Sequence, residues 1–207
     1  LANAFTLCDD YHCSMHTGTN SNRMFHWTGT NGPTGANVAT VNNEWDDIGP
    51  SATGYEWKTY PERLQEAKVS WIIYQSLPDN FTDNPLAGFK QYRKANEDSG
   101  KPVSNDGPSP AYDPASDDAG NPLYKGIANT MPDGGFLEQF RQDIKNGKLP
   151  KVSWIIAPAT YSEHPGPSSP VQGGWYIQEV LDALTAVPEV WSKTVFIVNF
   201  DENDGYF

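Results

Sequence analysis

The sequence predicts an α/β fold built on a largely parallel sheet. Three observations carry this expectation. Short, mostly apolar and partly β-branched runs stand at residues 68–73, 151–156 and 194–200, the pattern of strands covered on both faces. Segments with apolar residues at helical spacing lie between them. Strands alternating with helices in this way place helices on the faces of a parallel sheet.

The elements follow in chain order. Residues 60–67 read as a short helix with Pro61 in its first turn. The run Lys68-Val69-Ser70-Trp71-Ile72-Ile73 follows as a strand, and the same six residues recur as Lys151-Val152-Ser153-Trp154-Ile155-Ile156. Their flanks differ and their spacing is long, so they mark similar packing environments and not a structural repeat. Residues 85–96 carry Leu86, Phe89 and Tyr92 at helical spacing, with Lys90, Arg93 and Lys94 late in the run. Residues 135–146 place Phe136, Leu137, Phe140 and Ile144 on one stripe and stop at Gly147. Residues 176–187 hold Ile177, Val180, Leu181 and Leu184 and end before Pro188. The third strand is expected over 194–200. Residues 24–54 and 99–120, rich in Gly, Asn, Thr, Ser, Asp and Pro, read as long loops, and loops of that length are usually functional or mobile. No domain boundary is visible, so residues 1–207 read as one domain.

Composition narrows the function classes. The 207 residues are 37% hydrophobic and 19% charged, and seven Trp, ten Tyr and nine Phe supply ample surface to bury. A net charge of −12 provides no electrostatic footprint for nucleic acid and no attraction to anionic membranes. It is compatible with a carboxylate site for a hard cation and with a zwitterionic lipid head group. Cys8 and Cys13 are too few for a disulfide framework, and free, buried thiols are the expectation. No run approaches a membrane span and no signal peptide is visible. The chain begins at Leu1, so its natural start is expected to be missing and export is left open.

Three segments carry candidate chemistry. At 195–207 an apolar strand runs into Asp201-Glu202-Asn203-Asp204-Gly205. Ligands of parallel α/β sheets bind beyond the carboxyl ends of strands, and paired carboxylates suit hard cations. A solvated acidic turn is the alternative. At 9–23 the chain packs hydroxyls, histidines, a glycine and Arg23 together. A Ser or Thr hydroxyl can act as a nucleophile when its pKa is lowered, and Arg is the natural fork for phosphate oxygens. The alternative is a polar loop leading into a helix with Thr19 or Asn20 as its N-cap. At 157–166, beyond the second strand, His164 is a candidate general acid or a surface histidine in a Pro-rich turn. Together the segments hold a nucleophile, metal ligands and an acid, the parts of metal-assisted phosphoryl transfer.

At these segments the sequence resembles the bacterial phosphoesterase family that contains phosphocholine-specific phospholipases C, plant non-specific phospholipases C and certain acid phosphatases. Thr19-Asn20-Ser21-Asn22-Arg23 resembles the family's nucleophile segment, Ser162-Glu163-His164-Pro165 its histidine loop, and Asp201-Glu202-Asn203-Asp204-Gly205-Tyr206-Phe207 its carboxylate metal site. Thr28-Gly29-Thr30-Asn31, Tyr60-Pro61-Glu62-Arg63-Leu64 and residues 80–93 resemble the phosphocholine-specific branch. The resemblance implies an alkaline-phosphatase-like α/β/α sandwich, incomplete at both ends. It implies that Thr19 attacks phosphorus, that Thr19, Asp201 and Glu202 hold a divalent metal ion, that His164 contacts the phosphoryl group or acts as acid, and that Asn22 and Arg23 order the nucleophile loop and support the phosphate. Ca²⁺ is expected first, with Mg²⁺, Mn²⁺ or Zn²⁺ as alternatives.

The family also has an early Glu-Asn metal segment and a His after the carboxylate pair, and neither lies within this chain. It is therefore expected to be an internal fragment, weakly active or inactive by itself. The implied activity is phospholipase C hydrolysis of phosphatidylcholine, and of sphingomyelin, by a secreted or periplasmic monomer that meets its phospholipid at a membrane surface. A broad acid phosphatase (a phosphomonoesterase) and a non-catalytic choline-lipid-binding module are the rival expectations. Trp27, Trp45, Tyr55, Trp57 and Trp175 are candidates for a choline cage, against the ordinary expectation that large aromatics belong to the core.

Overall fold

The computed structural model describes residues 1–32, 47–104, 107 and 109–202. Its elements run α1 (Thr19–Thr28), α2 (Tyr60–Glu66), β1 (Trp71–Tyr74), α3 (Lys90–Asp98), α4 (Pro114–Asp117), α5 (Glu138–Lys145), β2 (Val152–Ile155), α6 (Pro170–Thr185) and α7 (Pro188–Trp191), with short 3₁₀ turns between them. The two identical hexapeptides supply the sheet. β1 and β2 pair in parallel with Trp71 opposite Val152 and Tyr74 opposite Ile155.

Side chains of a strand alternate between faces, so β1 serves two cores. Trp71 and Ile73 pack with Met24 and Trp27 of α1, Leu64 of α2 and Tyr92 of α3. Ile72 and Tyr74 pack with Phe140 and Ile144 of α5 and Tyr176 and Val180 of α6. The result is the α/β arrangement expected, a parallel sheet covered by helices on both faces. Among the described residues no helix is long and apolar enough to cross a membrane.

Local signals set most boundaries. The Glu62 carboxylate accepts from both the backbone N–H and the hydroxyl of Thr59 at 2.8 and 2.9 Å, which starts α2. The continuous helix expected over 85–96 is interrupted. Phe89 is extended (φ −98°, ψ 132°), because Tyr55 N donates to Gly88 O and Lys90 N donates to Tyr55 O, each at 2.8 Å. That bridge requires Gly54, where a Cβ would stand 2.3 Å from Gly88 O at φ +117°. α5 starts at Glu138 and not at residue 135, since Gly134, Gly135 and Leu137 hold positive φ and Asp133 caps the N–H groups of Gly135 and Glu138. α6 starts at Pro170, six residues before the expected start, with Ser169 as its N-cap.

Other expectations are corrected. Residues 194–200 form no strand among the described residues; Val195 and Ile197 are 85% and 74% exposed while Phe196 packs against the second core. β-branched composition favours extension, but a strand also needs a hydrogen-bonding partner, and neither β1 nor β2 is that partner here. The loop expected over 24–54 begins later, because Met24 to Thr28 belong to α1; residues 33–46 lie outside the described ones. The loop over 99–120 contains α4, and residues 105, 106 and 108 lie outside the description. Both cysteines are free as expected, but Cys8 is exposed and Cys13 half-buried.

Candidate active site

Loops following β1 and β2 converge with the start of α1 and with residues 200–202 around a cleft of about 1050 Å³. Thr19, Arg23, His164, Asp201 and Glu202, named from sequence for separate segments, all line it. Asn22 does not; its side chain is 4% exposed and lies beneath the loop before Thr19.

The segment leading to Thr19 is shaped by that asparagine. Its Oδ1 accepts from Met15 N at 2.8 Å, and its Nδ2 lies 3.1, 3.0 and 3.3 Å from the carbonyl oxygens of Met15, Thr17 and Gly18. One amide thus folds residues 15–18 back over the first turn of α1. The N-cap is Gly18, not Thr19 or Asn20, so Thr19 becomes the first helical residue, half-buried at the cleft wall. There its hydroxyl lies at the positive end of the helix, where anions are favoured.

Arg23, one turn into α1, reaches two distant segments. Its Nη1 donates to Asp83 O at 2.9 Å, its Nη2 stands 3.4 Å from the Asp83 carboxylate, and its Nε stands 3.4 Å from Asp201 Oδ2. The last contact is an ion pair at a distance too long and too poorly directed for a hydrogen bond, so among the described residues Nε and Oδ2 are both buried without one. Arg23 therefore ties Asp201 to the β1 loop.

His164 is exposed at the tip of the β2 loop, with the Phe81 ring edge-on at 4.9 Å. Phe81 and Thr82 both hold left-handed backbone (φ 55° and 60°), a conformation unfavourable for either side chain. Thr82 N donates to Asn80 Oδ1 at 3.0 Å, and Asn80 is itself anchored on Gln75 at the end of β1, which holds the kink in place. Glu163, beside His164, is half-buried, and burial pushes its carboxyl above the usual range.

The cleft's donors fit a hard cation in type. Thr19, Asp201 and Glu202 offer a hydroxyl and two carboxylates, and Asp201 Oδ2 is buried with no hydrogen bond among the described residues. Among the described residues no group of three or more His, Cys, Asp or Glu stands close enough to form a metal site by itself. Asp204 lies outside the described residues.

The sequence pattern of the Phosphoesterase family matches residues 1–207. The chain belongs to the Phosphoesterase family. It is 51% identical over 208 residues to the non-hemolytic phospholipase C of Pseudomonas aeruginosa, covering all of this chain and 26% of that protein. It is 35% identical over 208 residues to phospholipase C B of Mycobacterium tuberculosis, again over the whole chain and 35% of the relative. Non-specific phospholipase C4 of Arabidopsis thaliana is 26% identical over 220 residues, 31% of its length. The chain thus spans about a quarter to a third of these curated relatives. The family membership agrees with the resemblance drawn from the nucleophile, histidine and carboxylate segments.

Sequence reasoning missed other residues that the fold brings to this cleft. Asp83 pairs with Arg23, Phe81 faces His164, and Tyr11 donates from its hydroxyl to Phe200 O at 2.8 Å across the cleft. The Asn80-to-Asn84 stretch after a strand was the available signal for the first two. Of the aromatics proposed for a choline cage, Trp27 and Tyr55 are buried in the core, where large aromatics ordinarily go, and Trp57 packs against it. Trp45 lies outside the described residues. Trp175 is 43% exposed but lines a separate groove of about 200 Å³ with Phe136 and the Arg141–Glu179 ion pair.

Proposed function

We propose that the protein is a phospholipase C in which this cleft hydrolyses phosphatidylcholine, and sphingomyelin, to phosphocholine and the lipid alcohol. The observation that carries the reading is the gathering of Thr19, Arg23, His164, Asp201 and Glu202 around one cleft from segments near opposite ends of the chain. The phospholipase C names of its relatives support the same reaction class.

The chemistry follows from these groups. The Thr19 hydroxyl gives up its proton to solvent water as its oxygen forms a bond to phosphorus, opposite the lipid alkoxide, whose bond to phosphorus breaks. His164 gives a proton to that leaving oxygen. Water then cleaves the phospho-threonine ester and releases phosphocholine. Arg23 holds Asp201 and adds positive charge beside the phosphate. Thr19, Asp201 and Glu202 would hold a divalent cation, Ca²⁺ first and Mg²⁺, Mn²⁺ or Zn²⁺ as alternatives, whose charge favours the ionised hydroxyl and offsets that of the phosphate. A quaternary ammonium suits the exposed rings of Tyr11, Phe81 and Phe200 along the cleft. The enzyme acts as a secreted or periplasmic monomer at a phospholipid surface.

The test compares the full-length protein with its Thr19→Ala variant on a short-chain phosphatidylcholine and on a water-soluble phosphate monoester. Chelator-sensitive turnover of the lipid that falls by about 10³-fold or more in Thr19→Ala supports the reading. Turnover of the monoester alone makes the protein a phosphomonoesterase. Choline-lipid binding without turnover, unaffected by Thr19→Ala or chelator, makes it a binding module.

A further inference from the structure

His164 stands at the tip of a loop that has its own internal frame. The loop leaves β2, makes a 3₁₀ turn at Ala159–Tyr161 and reaches α6 through Ser169. Both backbone groups of His164 are held. Its N–H donates to Ser162 Oγ at 3.2 Å, and its carbonyl accepts from Ser168 N at 2.9 Å. Ser162 is fixed in turn, since its hydroxyl donates to Ala159 O at 2.8 Å.

Ser168 does more than close one bond. Its hydroxyl donates to Thr160 O at 2.6 Å and accepts from Glu163 N at 3.1 Å, so one buried side chain joins the start of the loop to the residue before His164. Ser168 is 9% exposed and does not line the cleft. The residue it grips needs gripping: Glu163 holds left-handed backbone at φ +68°, which a side chain other than glycine disfavours. The Glu163 side chain then lies flat on the first turn of α6 over Gly173, where a Cβ would fall 2.1 Å from its Cγ. With Glu163 turned down onto the helix, the next residue faces outward toward Phe81.

We propose that Ser168 is a positioning residue for His164, setting the direction of the imidazole by clamping Glu163 in its left-handed conformation over Gly173. The inference rests on His164 acting in the proposed phosphoryl transfer. Ser168 touches neither substrate nor cation; it acts through the backbone on either side of the histidine. Gly173 is the second component, because a Cβ there would force the Glu163 side chain to shift from its place on α6.

The experiment measures kcat and KM on a short-chain phosphatidylcholine for the full-length protein carrying Ser168→Ala, Ser168→Thr, Gly173→Ala and His164→Ala, and the Ser168→Ala/His164→Ala double variant. Ser168→Ala is expected to lower kcat about 10- to 100-fold, the usual effect of losing a supporting hydrogen bond at a site, with KM nearly unchanged. Ser168→Thr, which keeps the hydroxyl, restores most of the rate, and Gly173→Ala reproduces the loss by a different route. In the His164→Ala background Ser168→Ala adds nothing, because the group it positions is gone. An equal further loss in that background, or wild-type kcat in both Ser168→Ala and Gly173→Ala, overturns the positioning role while leaving His164 in place. Wild-type activity in His164→Ala overturns the role of the histidine itself, and the inference falls with it.

Discussion

Replacing Asn22 with Ala removes the amide that folds residues 15–18 over the start of α1. Asn22 accepts one bond, from Met15 N, and its two amide hydrogens are shared among the carbonyls of Met15, Thr17 and Gly18. Three bonds at about 1 kcal/mol each give roughly 3 kcal/mol. Met15 and Thr17 are half-buried, so water recovers part of this, and about 2 kcal/mol is the expected local loss. At 1.4 kcal/mol per decade that is roughly a 30-fold shift toward an unfolded loop. Thr19 follows directly on this loop, so kcat/KM of the full-length protein on a short-chain phosphatidylcholine should fall, with about 30-fold as the ceiling. Limited proteolysis within residues 13–18 should quicken in parallel. Asn22→Asp sharpens the test. It keeps an acceptor for Met15 N but sets a carboxylate oxygen against three carbonyls, so it should be no better than Asn22→Ala. Wild-type activity in Asn22→Asp, or unchanged proteolysis in Asn22→Ala, would refute the idea that this amide organises the nucleophile segment.

Two further outcomes follow from the same physical picture. The Glu163 carboxyl is raised by burial, so the folded chain binds its proton more tightly than the unfolded chain. Its contribution to stability is complete below the ordinary carboxylate value of 4.5 and is lost as pH rises through the raised value. Thermal melts from pH 4 to 8 should show Glu163→Gln gaining on wild type as pH increases; a constant offset across that range would count against burial as the cause. Arg93 is 1% exposed and donates to the carbonyl oxygens of Ala87, Thr53 and Asp47 at 2.6, 3.0 and 2.9 Å. Arg93→Leu strands these acceptors and should destabilise the fold by about 3 kcal/mol or more in urea titration, and a loss under 1 kcal/mol would show that water replaces the guanidinium freely.

Apolar periodicity and chain-terminating signals were sufficient for much of the fold. The two KVSWII segments supply the two strands among the described residues, paired in parallel with Trp71 opposite Val152 and Ile73 opposite Trp154, and helices fall near four of the expected places. These are local properties, carried by spacing, Pro and Gly, and so they can be read along the chain. The errors occurred where a distant contact outweighed local preference. Phe89 is extended because Tyr55 bridges to its neighbours, and 194–200 is not a strand because apolar composition does not supply a pairing partner. The start of α6 is legible in Ser169 and Pro170, an N-cap and a first-turn proline that the apolar spacing from residue 176 does not include.

The site divides along the same line. The residue types and spacing of Thr19 to Arg23, His164 and Asp201-Glu202 suggested phosphoryl transfer, and the family match agrees with that origin. Chemistry of this kind depends on side-chain identity, which sequence states outright. That the segments meet in one cleft, that Arg23 spans from Asp83 to Asp201, and that Asn22 lies beneath its loop depended on the folded chain. So did the grip of Ser168 on Glu163 and the space left by Gly173. The Arg23 contacts join residues far apart in the chain, which packing of α1 against the sheet brings together, whereas the Asn22 and Ser168 contacts are close in sequence but depend on looped and left-handed backbone that residue identity does not state.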